Sequence, residues 1–442
     1  MLAKNKLKVY ASDADWGHDV KVAATRLKGL GVDTDVGGHD HHRIAKATLV
    51  VVSPGVPPDS PPVRAARAAK RRIVSEVEVA LGCLRKTQII AVTGTNGKTT
   101  VTALIVHILR DLGKRARPAG NIGMPLSALA LLDEPPEWIA LEMSSFQLHD
   151  TRSIKPAVGV LTNLSPDHLD RYTSVDEYYA DKALLFRNAT DKSIWVVNGD
   201  DERALAMTGK VKGKRYLFSL TSEADACYNT RKHKLQVLGA DLIRRKDFAL
   251  IGSHNVANAL AASLAVMVAD AGFSTEAARA KIAESLHTFA PLAHRLELVA
   301  ETDGIRWVND SKATNIGSTL VAIDGMERPT ILLLGGRHKG EPYTLLAEPI
   351  RKNVKRVIAY GEAAPLIARD LKGIVDVETL GSNFANAIVA ARKAASPGDT
   401  ILLSPACSSY DMFSSYEERG DRFRKLAMGD GAALESAEAN LE

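Results

Sequence analysis

The sequence predicts a three-domain α/β protein built on largely parallel sheets. Three observations carry that prediction: the alternation of strand and helix patterns, the chain length, and one glycine-rich loop set between a strand and a helix. Short β-branched runs alternate with helical stripes, as when parallel strands are joined by crossover helices. At 442 residues the chain exceeds the size at which one core stops growing, so two or three domains are expected.

Taken in order, Leu49-Val50-Val51-Val52 reads as a strand that stops at the turn signal Ser53-Pro54-Gly55. Ile89-Ile90-Ala91-Val92 reads as a strand that runs into the glycine loop. Behind the loop, Val101, Leu104, Ile105, Ile108, Leu109 and Leu112 share one helical face. Further strands are expected at residues 139–141, 158–161, 194–197, 331–334 and 401–403, and a helix at 175–187. One domain boundary falls near Lys86, before the strand that feeds the loop. A second falls near Pro291, before the strand pattern Leu296-Glu297-Leu298-Val299. The chain is thereby divided into residues 1–86, 87–291 and 292–442. The tail from about Gly429 to Glu442, rich in Ala and Glu, is expected to fray.

Composition excludes several classes. Hydrophobic residues at 45% and charged residues at 25% fit a soluble globular chain rather than a disordered one. A net charge of +5 over this length is too small for a nucleic-acid binder, and the basic run Lys70-Arg71-Arg72 reads as a solvated helix end. Three cysteines, Cys83, Cys227 and Cys407, have no CxxC spacing, which argues against a disulfide framework and a thiolate zinc site. No apolar segment follows Met1 to Lys6 and no run is long enough for a membrane span. No leader and no membrane insertion are expected, and the cytoplasm is the expected compartment.

The strongest local signal is Thr93-Gly94-Thr95-Asn96-Gly97-Lys98-Thr99-Thr100. Between a strand and a helix, such a loop aims backbone N–H groups and the helix dipole at an anion. Lys98 is placed to hold β- and γ-phosphates, and the Thr99 hydroxyl to sit on Mg²⁺. Val92 stands where the general phosphate-loop pattern has its first Gly, so this is a tighter variant. Glu142 ends the strand pattern Trp138 to Glu142. By itself such a glutamate is more often a surface residue, but beside a phosphate loop it can complete a metal shell. His168 lies in the polar loop 162–170, within reach of a second metal or a substrate oxygen, and Lys182 lies on the following helix.

Together these residues resemble the Mur ligase family. The matching blocks are residues 94–100, Gly120-Asn121-Ile122-Gly123, 141–148, 163–172, Gly252 to Ala259, His294-Arg295, Asn309 to Asn315, Gly335 to Lys339 and Leu403 to Asp411, collinear from about residue 48 to about 427. The Asn-Asp-Ser-Lys-Ala-Thr-Asn block and the Ser-Pro-Ala-Cys ending look like the branch that adds D-glutamate. The Asp-Asn-Pro-Arg motif of the diaminopimelate-adding branch is missing, and folylpolyglutamate synthases lack the Ser-Pro-Ala-Cys ending.

The resemblance implies an N-terminal Rossmann-like domain for a UDP moiety, a central phosphate-loop ATPase domain and a C-terminal Rossmann-like domain that brings the amino acid. It implies ATP-dependent joining of D-glutamate to UDP-N-acetylmuramoyl-L-alanine through an acyl phosphate, in peptidoglycan synthesis, by a monomer. It also assigns roles. Gly94, Thr95, Asn96, Gly97, Lys98, Thr99, Thr100, Asn255, Asn258, Arg295, Asp310 and Lys312 would contact ATP. Thr99 and Glu142 would hold one Mg²⁺; His168 and a carbamylated Lys182 would hold a second. Ser53, Gly55, Asn121, Ser144 and Gln147 would face the UDP-sugar, and Thr314, Lys339, Ser409 and Tyr416 the amino acid.

The sequence departs from the family at two places. Members open with a strand, a Gly-rich turn and a helix before the segment matching Lys8 to Asp13, and here that first βα unit is expected to be missing, through a late-assigned start or a reduced domain. Tyr416 stands where the D-glutamate branch usually has Phe. Alternatives kept open are a ligase for another amino acid such as L-glutamate, and a nucleotide-binding protein without ligase activity.

Overall fold

The protein is described by a computed structural model covering residues 2–3, 6–53, 56–57, 59–167, 172–290 and 292–429. Gly55, His168 and Pro291 lie outside the described residues, as does the tail beyond Gly429.

The N-terminal part holds two strand pairs. β1 (Tyr10–Asp13) runs parallel to β2 (Asp33–Val36) across the helix His18–Lys28, and β3 (Leu49–Val52) runs parallel to β4 (Arg72–Ser75) across the helix Pro61–Ala68. The pairs form separate two-stranded sheets. β3 is wholly apolar, yet Leu49 and Val51 are 36% and 39% exposed, so the described chain leaves that face uncovered. The basic run is exposed, as expected of a solvated helix end: it follows the helix that ends at Ala68, and its last residue, Arg72, opens β4. A buried carboxylate fastens this part to the rest. Glu78 accepts from Arg152 N, Ser153 N and Ser153 Oγ at 2.9, 2.8 and 2.8 Å, and Ser75 Oγ meets Thr151 Oγ1 at 2.7 Å.

The central sheet has nine strands: β5 (Gln88–Thr93), β6 (Ala116–Gly120), β7 (Trp138–Glu142), β8 (Val158–Leu161), β9 (Ile194–Asn198), β10 (Lys214–Ser219), β11 (Ala226–Asn229), β12 (Lys234–Val237) and β13 (Ala240–Arg244). Their order is β13-β12-β11-β10-β9-β8-β5-β7-β6, parallel except that β12 is antiparallel to both its neighbours. Successive residues of β5 enter opposite cores. Ile90 and Val92 pack with the helices Lys98–Asp111 and Ser253–Ala269, and Ile89 and Ala91 pack with Ile139, Leu141 and Leu161. That two-sided burial explains the unbroken apolar runs. β6 carries Pro118 and no β-branched residue, so it lacks a strand signature; an edge position tolerates it.

The third sheet orders β14 (Glu297–Thr302), β15 (Ile305–Asn309), β16 (Thr330–Gly335), β17 (Val354–Tyr360), β18 (Asp376–Thr379) and β19 (Thr400–Leu403) as β14-β15-β19-β16-β17-β18, with only β14 antiparallel. The expected helix at 175–187 runs Val175–Ala183 and tightens into a 3₁₀ turn, Leu184–Phe186. Among the described residues no helix is long and apolar enough to cross a membrane.

In the central sheet β7 lies on one side of β5 and β8 on the other, with β6 beyond β7. The connections leaving the carboxyl ends of β5 and β8 therefore diverge and leave a crevice there, the usual ligand position of an open α/β sheet.

Candidate functional site

The crevice holds the phosphate loop. Gly97 ends it with φ +81°, and a Cβ there would overlap Asn258 Oδ1, so glycine is required both for the turn and for the approach of the helix Ser253–Ala269. The loop is tied to the end of β8: Asn96 N donates to Asn163 Oδ1 at 2.8 Å, Thr95 N to Asn163 O at 2.9 Å, and Thr162 Oγ1 to Asn96 O at 2.6 Å. Lys98 Nζ donates to Gly94 O and Thr95 O at 2.9 and 2.7 Å. Burial pushes its pKa down, opposed by the nearby carboxylates of Glu142 and Asp167.

Lys182, 1% exposed, reaches the same carbonyl: its Nζ donates to Gly94 O at 2.7 Å and lies 4.5 Å from the Tyr178 ring centroid. Burial first, and then the charge of Lys98, hold its pKa well below the ordinary lysine value. A buried amine kept neutral is a nucleophile, and conversion to an anion there would replace repulsion from Lys98 with attraction.

Glu142 is 1% exposed. Its Oε1 accepts from Asn121 Nδ2 at 2.8 Å, while Oε2 is buried with no partner. A buried carboxylate oxygen left without a donor fits a cation. Among the described residues no three His, Cys, Asp or Glu side chains cluster to hold a metal. The unpartnered Glu142 oxygen suits Mg²⁺, which takes one or two carboxylates and completes its shell with water and substrate phosphate oxygens. Thr99 lies in the first turn of the helix Lys98–Asp111, next to Lys98 in sequence. Ser144 and Gln147 form a capping box at the start of the helix Ser145–His149, just after Glu142, so both are spent in part on local structure. Ser53 is exposed after β3.

A cavity of about 580 Å³ runs from the loop to the C-terminal sheet and is lined by Asn96, Thr100, Asn258, Arg295, Asp310 and Lys312. Asn255 also lines it, with Nδ2 donating to Ile251 O at 2.7 Å. Burial lowers the pKa of Arg295, whose Nε has no partner. It lifts Asp310 to about 7, against hydrogen bonds from Ser404 Oγ and Leu296 N. Burial, then Arg295, lowers Lys312 to about 8. Buried positive charge with one unsatisfied donor, Arg295 Nε, suits an anionic ligand. Sequence reasoning missed the rest of the wall, where Phe218, Leu250, Phe289 and Leu292 offer an apolar slot. His254, with Nδ1 buried and unpartnered, also lines it; burial holds its pKa near 4.

Of the four expected amino-acid residues, Thr314, Lys339 and Ser409 lie on C-terminal loops and Tyr416 opens the helix Tyr416–Ala427. Lys339 Nζ donates to Thr314 Oγ1 at 3.3 Å. Ser409 is 2% exposed. Lys312 Nζ donates to the Tyr416 hydroxyl at 3.0 Å, which joins this pocket to the nucleotide cavity. Arg419, fully buried, donates to Ser311 Oγ and O and to Cys407 O and so laces these loops together. Two further contacts, absent from the sequence reading, join the C-terminal part to the crevice: Ser318 Oγ donates to Asn96 Oδ1 in the phosphate loop at 2.9 Å, and Asn315 Nδ2 to Asp167 Oδ2 in the loop after β8 at 3.0 Å.

Two family models match the chain. The Mur ligase middle domain matches residues 92–266, and the Mur ligase glutamate ligase domain matches residues 294–407. A UDP-N-acetylmuramoylalanine–D-glutamate ligase of Salinibacter ruber is 39% identical over 96% of this chain and 94% of its own. One of Anaeromyxobacter dehalogenans is 40% identical over 89% of this chain and 86% of its own. Among solved structures, a MurF ligase of Thermotoga maritima in complex with ADP shares the fold with a TM-score of 0.62 at 15% identity, covering 90% of this chain and 97% of that one. On the two domain matches and the near full-length relatives, the chain belongs to the Mur ligase family.

Proposed function

We propose that the chain joins D-glutamate to UDP-N-acetylmuramoyl-L-alanine at the expense of ATP, in the cytoplasm and on the route to peptidoglycan. The observation that carries this is identity of 35–40% over nearly the whole chain to relatives bearing that activity in their names. The proposed division of labour is residues 1–86 for the UDP moiety, 87–291 for ATP and 292–442 for the amino acid, in a monomer.

The residues support a sequence of roles. Gly94 to Thr100 cradle the triphosphate, and Lys98 holds its β- and γ-phosphates. Asn255, Asn258, Arg295, Asp310 and Lys312 hold the rest of the nucleotide. Glu142 and Thr99 would hold one Mg²⁺, and His168 with a carbamylated Lys182 a second; bound there, the ions would supply positive charge against the transferred phosphoryl group. Asn121, with Ser144, Gln147, Ser53 and Gly55, directs the acceptor carboxylate at the γ-phosphorus, giving an acyl phosphate and ADP. Thr314, Lys339, Ser409 and Tyr416 hold D-glutamate so that its amine attacks the acyl carbon and phosphate leaves. Positioning and exclusion of water do most of the work, and the Ser318 and Asn315 contacts close the site.

The test is phosphate release from ATP by the purified chain with Mg²⁺ and UDP-N-acetylmuramoyl-L-alanine, with D-glutamate, L-glutamate or neither. Release that requires both acceptor and D-glutamate is expected. Release only with L-glutamate would move the specificity, and the Tyr416 hydroxyl is then the first residue to change. ATP binding with no acceptor-dependent release would refute the ligase.

A further inference from the structure

We propose that Tyr172 and Asp181 are positioning residues for the reaction: their hydrogen bond fixes the aromatic floor on which the Lys182 amine sits. The inference rests on the ligase reading above. That floor is the Tyr178 ring, whose centroid is 4.5 Å from Lys182 Nζ. Tyr178 is 1% exposed, and its hydroxyl donates to Thr95 Oγ1 in the phosphate loop at 3.3 Å. One ring therefore sets both the lysine and the loop. Tyr172 walls that ring, with centroids 5.5 Å apart and planes at 59°. On its other side Tyr172 stacks on Phe146, at 5.4 Å and 10°.

The Tyr172 ring is tethered at its hydroxyl, which donates to Asp181 Oδ2 at 2.9 Å. The other oxygen of the same carboxylate, Oδ1, meets His149 Nδ1 at 2.8 Å. Three segments thus converge on one side chain. Tyr172 ends the block 163–172 that contains His168, and His149 ends the helix that the Ser144–Gln147 capping box opens. Asp181 itself stands one residue before Lys182 on the helix Val175–Ala183. The Asp181 side chain is 15% exposed, so water competes poorly for it. A phenol bonded to an ionised carboxylate is about twice as strong as a neutral pair. Without that bond the Tyr172 ring loses its tether, the wall behind Tyr178 loosens, and Lys182 Nζ loses its fixed place 2.7 Å from Gly94 O. A reacting constellation displaced by about 1 Å can lose on the order of a hundredfold in rate.

Tyr172→Phe removes the hydroxyl and keeps the ring. Asp181→Ala removes the acceptor. Asp181→Asn keeps an amide oxygen for Tyr172 and an amide N–H for a neutral His149. In the first two, kcat for acceptor-dependent phosphate release should fall on the order of tenfold, the worth of one hydrogen bond to a charged group. KM for D-glutamate and for UDP-N-acetylmuramoyl-L-alanine should not move. Asp181→Asn should recover most of kcat, and the double variant Tyr172→Phe with Asp181→Ala should be no worse than Asp181→Ala alone. A second readout needs no turnover: pulse acetylation in Mg²⁺-free and bicarbonate-free buffer, with Lys182 followed by peptide mass. At 1% exposure Lys182 reacts only through local opening. Its labelling should quicken on the order of tenfold in Tyr172→Phe and Asp181→Ala, by the same lost bond, and not in Asp181→Asn. In a chain that turns over, parent-like kcat or parent-like Lys182 labelling in those two variants overturns the positioning role and leaves the ligase. A loss shared by every KM and by Asp181→Asn, as a folding defect would give, also overturns it. In a chain without acceptor-dependent turnover the ligase falls and the labelling alone decides: quickening in the stated pattern keeps the floor, and parent-like rates overturn it.

Discussion

Asp310 offers a test of the buried charge in the cavity that does not depend on turnover. The carboxyl is 8% exposed, and burial raises its pKa from 3.8 to about 7 despite the donors Ser404 and Leu296. Below pH 3.8 it is protonated in the folded and unfolded chains alike and costs nothing. As pH rises from 3.8 to 7 the unfolded chain releases the proton first, so stability is lost at about 1.4 kcal/mol per unit. Above pH 7 the loss is complete, at about 3 units or roughly 4 kcal/mol. Asp310→Asn does not titrate. It keeps one oxygen for Ser404 but sets an amide N–H where a carboxylate oxygen faced Leu296 N, a pH-independent cost of about 1–3 kcal/mol. The variant should therefore be less stable than the parent near pH 4.5 and more stable at pH 8.5. The assay is the urea midpoint of the nucleotide-free chain across that range. A difference between parent and variant that stays constant with pH would refute the assigned burial of an ionising carboxyl.

Three other perturbations bear on the site. Lys182→Ala should leave phosphate release near background with no rescue by bicarbonate, and full activity would remove the carbamate from the mechanism. Gly97→Ala forces a non-glycine residue to φ +81° and drives Cβ into Asn258; at about 1–3 kcal/mol, KM for ATP should rise tenfold or more while folding persists, and an unchanged KM would contradict the loop geometry. Ser318→Ala removes the bond to Asn96 and should loosen closure, so that more phosphate than amide is produced; strict one-to-one coupling in the variant would show that the contact does not guard the acyl phosphate.

Much of the site was legible because it is local. Gly94 to Thr100 is one short segment whose strand and helix flanks are themselves patterned, and Glu142 announces itself by ending an apolar strand beside that loop. The strands followed from two-sided burial, which writes unbroken apolar runs into β5, β8, β16 and β19. Edge strands such as β6 carry no such run, because an edge needs less burial and tolerates Pro118.

The sequence alone determined the fold class, the phosphate loop and, by the order of its blocks, the family. Only the tertiary structure decided that Lys182, 88 positions from Gly94, shares its carbonyl with Lys98, that Glu142 keeps one oxygen unpaired, and that Ser318 grips Asn96 from 222 positions away. It also assembled the apolar wall of the cavity from β10 and the segments around the helices Ser253–Ala269 and Glu276–Thr288. Pattern and propensity act over a few residues, whereas desolvation, charge repulsion and an unsatisfied oxygen depend on what distant segments bring to the same few ångströms when sheets stack and domains close.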